Sequence, residues 1–282
     1  MRKFSFLMCF VFLAAGCASE KMAARMAFPL VQGQYDSMQS ESDLQLAERA
    51  IPSNLKLLGG LRQSDPDNPE ILRYLAEGFC SYAFGFVREQ DPKRASALYE
   101  RGRNYALRGL QKPDLASMGL AEFKSELMHL ERKDLPFLFW LGQCWGEWLM
   151  LNLNNPEAFA DISRLQILLE RNLELDPAYH FGGPHLSLGV FYGSRTKLLG
   201  GNPEKAKFHF EQSMQVTGGT YLLAPYLYAK TYAVQVQDRD LFMRLLDQVL
   251  STPSDLLPAQ RLSNEIAKAK AEVLLESVDD LF

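Results

Sequence analysis

An all-α fold built of stacked helix pairs is what this sequence predicts, and three observations predict it. Period-two alternation of apolar and polar residues is missing throughout the 282 residues. Apolar residues instead recur at i, i+3, i+4 and i+7 in one segment after another. Start and stop signals such as Asp91-Pro92, Asp176-Pro177 and Asn202-Pro203 divide the chain at helix-length intervals.

The chain opens on Arg2 and Lys3, then an apolar stretch from Phe4 to Leu13 broken by Ser5, then the small residues Ala14, Ala15 and Gly16 before Cys17. That is the layout of a secretion signal over residues 1–16. The apolar run is too short to cross a bilayer, which takes about 20 residues. "LAAGC" resembles the bacterial lipobox, in which the cysteine becomes the lipid-bearing first residue of the mature chain. The resemblance implies lipidation at Cys17, palmitate included. With Ala18 in place of an acidic residue, it also implies the periplasmic face of an outer membrane. Acyl chains anchor by burying methylenes at roughly 0.8 kcal/mol each, so the polypeptide itself need not be apolar. Residues 17–40 carry little pattern and read as a lipid-anchored tether, leaving 41–282 as a single helical domain.

From there the elements follow in order. "EGFCSYAFGFV" (77–87) is dense in aromatic residues. In 91–110, Ala95, Leu98, Tyr99, Gly102, Tyr105, Ala106 and Gly109 form one stripe, with Lys93, Arg94, Glu100 and Arg103 elsewhere. An extra segment lies near 113–131. Residues 135–151 are apolar nearly all round, but Gln143 and Glu147 interrupt them, which fits a central helix packed on several sides better than a membrane span. In 163–175 the stripe is Leu165, Leu168, Leu169 and Asn172, closing at Pro177. "GGNPEKA" (200–206) has the glycines of a phosphate loop without its Lys-Ser/Thr, and reads as a connector. It leads into a helix with Ala206, Phe210 and Ser213 on one face. Pro225 demands a kink or a helix start within 220–236. Asp238 caps the next helix, with Asp240 in its first turn. A second extra segment lies near 252–265, and Leu281 and Phe282 read as cover for the last helices. The stripes at 95–102, 165–172 and 206–213 share one spacing, that of the second helix of a tetratricopeptide (TPR) repeat. The first-helix signature is degraded, so the prediction is irregular TPR-like helix pairs, eleven or twelve helices in all.

Chemistry is harder to find. No HExxH, GxSxG, CxxC or GxxxxGK[ST] occurs. Lys and Arg number 30 against 34 Asp and Glu, a formal net charge of −4, with no basic stripe for nucleic acid. His180 and His185 bracket "FGGP" near Asp176, but a loop histidine beside a helix-start histidine is the simpler reading, and no metal or cofactor is expected. His129 and His209 call for no special role. An oxidising periplasm would permit a disulfide between Cys80 and Cys144. Spacing does not establish contact, and buried free thiols on two helices are the reading made here. The best acid for an all-α glycan-cleaving enzyme would be Glu147 between Trp145 and Trp148, a weaker reading than no enzyme at all. What stands out is aromatic density along the first helices of the pairs, which line the concave face of such stacks. Most of these rings must be core. Tyr82, Phe86, Trp145, Trp148, Tyr192 and Tyr228 are the candidates for a ligand or partner groove.

"LAEGFCSYAFGFV", "ERGRNYALRGL", "WGEWLMLNLN", "LERNLELDPAY", "LGGNPEKAKFHFEQSM", "YAVQVQDRDLFMRLLDQVL" and "LSNEIAKAKAEVLLESVDDLF" together resemble the TRAP transporter T-component (TatT) family, in order across 40–282. Two departures are visible, in "WGEW" and around the glycines of 181–201. The resemblance implies a periplasmic TPR-type lipoprotein that forms a homotrimer. It further implies pairing with the solute-binding P-component of a tripartite transporter, and passage of a ligand, apolar in character, through a channel or groove. The competing function is a TPR lipoprotein of outer-membrane assembly that binds other proteins.

Overall fold

In the computed structural model, which describes residues 21–22 and 25–282, every regular element is helical. The leader, Cys17 and the start of the expected tether lie outside the described residues. From residue 25 the chain is already folded: 25–39 form helix α1. Phe28 and Tyr35 set their rings against Tyr74 at 5.8 and 4.7 Å. The segment read as a tether therefore holds a packed helix.

The body is a succession of antiparallel pairs. Helices α2 (Leu44–Ser64) and α3 (Pro69–Tyr82) are followed by α4 (Pro92–Gly109), α5 (Leu120–Met128) and α6 (Leu135–Leu151). Then come α7 (Pro156–Ala160), α8 (Ile162–Leu175), α9 (Tyr179–Gly193), α10 (Pro203–Thr217), α11 (Leu223–Leu227), α12 (Arg239–Ser251), α13 (Arg261–Glu276) and α14 (Val278–Leu281). The boundaries have local causes. Asn68, Asp91, Asn202 and Asp238 cap α3, α4, α10 and α12 by accepting backbone N–H groups, and Pro69, Pro92 and Pro203 occupy first turns where a missing N–H costs nothing. The 200–202 connector turns on Gly200 at φ +81°. The chain's last residue, Phe282, stacks edge-on against Phe242.

Helices α3, α6, α9 and α11 form the inner layer, with α4, α8, α10 and α12 packed outside them. Two inner helices widen into π turns, Ala83–Val87 after α3 and Tyr228–Ala233 after α11. Glycines let the layers meet closely. A Cβ on Gly102 of α4 would fall 2.6 and 2.7 Å from the sulfurs of Cys80 and Cys144, and one on Gly189 would fall 3.0 Å from the Phe210 ring. The two cysteines, read from sequence as free thiols, are joined in a disulfide, because α3 and α6 are neighbours in the inner layer and bring the two Cα atoms to 5.4 Å.

The stack curves until its last long helix reaches its first. Leu262 and Ile266 of α13 bury against Ala47 of α2, with Met38, Ile51, Phe84 and Phe86 around them. Asn264, fully buried, fixes α13 in place. Its side chain accepts from the Leu222 N–H at 2.8 Å and donates to the carbonyls of Thr220 at 2.9 Å and Ser254 at 3.1 Å.

Two outcomes test this packing. The double variant Cys80→Ser/Cys144→Ser should lose about 4 kcal/mol, the chain-entropy value for a crosslink spanning 64 residues. A urea midpoint that does not move when reductant is added to the parent protein would remove the crosslink from the account. Asn264→Ala should cost about 2–3 kcal/mol in the same assay, since it strands one buried N–H and two carbonyls.

Candidate functional site

Closing the superhelix leaves a cavity of about 250 Å³ between the inner helices, walled chiefly by α1, α2, α3, α6, α9, α11 and α13. Each long wall helix contributes residues three or four apart. On α3 these include Tyr74, Glu77 and Ser81; on α6 Phe139, Gln143, Glu147 and Met150; on α9 Gly183, Ser187, Val190 and Ser194. Most of the wall is aliphatic or aromatic, with a few polar groups set into it, the composition expected of a small-molecule site.

Those polar groups are mostly committed to one another. Glu77 accepts from the Tyr35 hydroxyl, from Gln39 Nε2 at 3.4 Å and from Arg73 Nη1 at 3.5 Å. Burial raises the Glu77 carboxyl above its ordinary range, opposed by the Tyr35 hydrogen bond and the Arg73 charge. Gln143 donates to Ser187, whose hydroxyl donates to the Gly183 carbonyl at 2.8 Å. Glu147 is held in an ion pair with Arg88 instead of standing free as an acid. Arg195 is 4% exposed, and its Nε and Nη2 donate to the Phe191 carbonyl at 3.0 and 2.5 Å. Burial brings its guanidinium down to about 10, so it remains a cation at neutral pH.

His180 sits in an aromatic box. Its ring centroid lies 5.0 Å from Phe139, 5.3 Å from Trp140, 5.5 Å from Phe181 and 6.5 Å from Tyr221. A strained turn places it there: His180, Phe181 and Gly182 have φ of 45°, 60° and 78°. Left-handed backbone costs a non-glycine residue roughly 1–2 kcal/mol, so packing must hold this turn. The regular part of α9 starts only at Gly183 and Pro184. Desolvation lowers the His180 imidazole to about 4, so it is neutral at physiological pH.

Of the groove candidates, Tyr82 and Phe86 line the cavity, Phe86 from the π turn. The other four do not. Trp145 is fully buried on another face of α6, donating to Asp161 Oδ2 at 3.0 Å and meeting Phe123 edge-on. Trp148 packs against the core under the Arg103 guanidinium, 5.0 Å away. Tyr192 stacks on His209 and donates to Glu170, and Tyr228 stacks on Phe210 at 4.7 Å beside a shallow outer depression. Aromatic character marks both faces of an inner helix equally, which is why it failed to sort them. The signal that does sort them was present in α6. Gln143 and Glu147 are its only polar side chains before Asn152, and both face the cavity.

As the sequence suggested, His180 lies in a turn and His185 at the start of the regular part of α9; the His185 Nδ1 is 3.0 Å from Nδ1 of His209, and both rings are buried. Among the described residues no three potential ligands gather as a metal site, and no helix is long and apolar enough to cross a membrane.

Fold and site together define an α-helical repeat protein wrapped around a ligand-sized cavity. The chain matches the family "TRAP transporter T-component" (TAtT) over residues 40–282, and it belongs to that family. It is also similar to an uncharacterized protein of Treponema pallidum (strain Nichols), 24% identical over 312 residues and covering 97% of each chain. Family membership associates the protein with TRAP transporters, as an accessory component of transport.

The His180 environment has a measurable consequence. A native imidazole at about 4 against an ordinary 6.5 means that the unfolded chain takes up the proton first. Its contribution to stability is complete above pH 6.5, falls as pH drops and is flat below about 4. The stability difference between the parent and His180→Asn should therefore shrink by about 3 kcal/mol from pH 7 to pH 4. Glu77, shifted in the opposite sense, is common to both proteins and cancels. A difference that is constant with pH would show that His180 is not desolvated.

Proposed function

We propose that this protein is a non-enzymatic holding component of a TRAP system, lipid-anchored through Cys17 on the periplasmic face of the outer membrane. In this reading it captures an apolar ligand in the cavity and relays it to or from the solute-binding P-component. The observation that carries the reading is the cavity itself, walled by the inner helices and lined mainly by aliphatic and aromatic side chains with its polar groups largely paired internally. Such a wall favours burying an apolar body, which contributes about 25 cal/mol per Å² removed from water. A cavity of about 250 Å³ also fits a small molecule better than the long groove that a partner helix would need. The one carboxylate singled out for catalysis, Glu147, is engaged by Arg88. Trimer formation belongs to the same proposal and rests on the family resemblance.

The test is native mass spectrometry on protein extracted from its own envelope, with the TRAP P-component co-expressed. The expected result is a lipid-modified trimer carrying a small apolar molecule and retaining the P-component. Ser187→Phe, which fills the cavity from α9, should lose the molecule while keeping helical circular dichroism and the anchor. Full ligand retention by this variant would place the bound molecule elsewhere.

A further inference from the structure

Among the described residues, three charged side chains line the cavity: Glu77, Glu147 and Arg195. Two have opposite charges as partners, Glu77 with Arg73 and Glu147 with Arg88. Arg195 has none. No carboxylate lies within ion-pair distance of it among the described residues, and the one titratable group acting on it electrostatically is the phenol of Tyr192, neutral at physiological pH. Among the described residues the one acceptor of its guanidinium is the Phe191 backbone carbonyl, bonded through Nε and Nη2, with the guanidinium carbon 3.4 Å from the Phe191 ring centroid. Nη1 is left without a hydrogen bond. A carbonyl dipole and a ring face compensate a buried cation partly, whereas burying an unpaired charge costs several kcal/mol.

The neighbouring residue is similarly uncommitted. Ser194, also on the cavity wall, offers its hydroxyl only to the thioether sulfur of Met150 at 3.9 Å, a weak acceptor. The wall residues shown to touch the pair, Met150 and Phe191, are apolar, and the lining as a whole is mainly so. An uncompensated guanidinium, an idle hydroxyl and an aliphatic chamber thus occur together. Guanidinium donors match the oxygens of carboxylate and phosphate groups, so the missing counter-charge has a definite chemistry.

We propose that Arg195, assisted by Ser194, is the headgroup subsite of the cavity, and that the ligand is an amphiphile with an apolar body and a single oxyanion head. This inference rests on the reading of the cavity as a ligand site and specifies what that site holds. Carboxylate and phosphate monoester heads share the required chemistry.

The experiment is isothermal titration of the full-length, ligand-stripped protein with four probes of one chain length: dodecanoate, monododecyl phosphate, dodecan-1-ol and dodecylamine. One or both anionic probes should bind at least about tenfold more tightly than the alcohol, a difference of about 1.4 kcal/mol, and the amine should bind more weakly still. The stronger anion identifies the head as a carboxylate or a phosphate. Arg195→Met should abolish the preference while the alcohol's affinity stays within about twofold, and Arg195→Lys should keep part of it. If Arg195→Met fails to fold, judged by circular dichroism, the head preference of the parent and its weakening in high salt decide the matter. Equal binding of all four probes overturns the subsite and leaves the apolar cavity standing. Binding of none of them overturns both.

Discussion

Leu262 and Ile266 of α13 bury against Ala47 of α2, and with that contact a ribbon of helix pairs curves round on itself as the container of a cavity. A stack of helix pairs normally buries its core between adjacent pairs and leaves the concave face open to water. Here the inner face is largely apolar along α3, α6 and α9, and leaving it wet would forfeit roughly 1.5–3 kcal/mol for each large side chain concerned. Closure recovers most of that burial, with Asn264 holding the closing helix through three hydrogen bonds. Gly85 marks how tight the seam is, since a Cβ there would meet Ile266 at 2.9 Å. The cavity and its lining both depend on this join.

Within the container two kinds of polar group behave differently. Glu77, Gln143, Ser187 and Glu147 are tied to protein partners, so they fix the wall helices to one another more than they invite a ligand. His180 and Arg195 are not so tied. One is held neutral inside a ring of aromatic side chains by a turn of left-handed backbone. The other is a cation whose counter-charge none of the described residues supplies. Strain and uncompensated charge are costs that folding alone gives no reason to bear, and both occur on the cavity wall. The membership in the TRAP transporter T-component family gives the cavity a context, since a transport accessory needs a place to hold cargo without altering it.

Much of the fold was legible in the chain. Period 3.6, the Asn and Asp caps and the prolines of first turns are local effects, written within a few residues of where they act. They gave the helices, their pairing, the cap at Asp238 and the packing of Phe282. Even α6 carried a readable mark, because Gln143 and Glu147 interrupt an otherwise apolar helix along the stripe that faces the cavity. The π turns after α3 and α11 had no such mark, and neither had the packed helix in 25–39.

By itself, then, the sequence determined an all-α stack and its repeat character, because helix periodicity and capping are properties of neighbours in the chain. Only the tertiary structure decided which rings face the cavity, sending Tyr82 and Phe86 to the wall and Trp145, Trp148, Tyr192 and Tyr228 into outer packing. It also decided that Cys80 and Cys144 are joined, that His185 meets His209, and that Arg195 has no carboxylate beside it among the described residues. The reason is the same in each case. Contact between residues dozens of positions apart depends on how far the stack curves, and that curvature is summed over every helix pair instead of being written in any one of them.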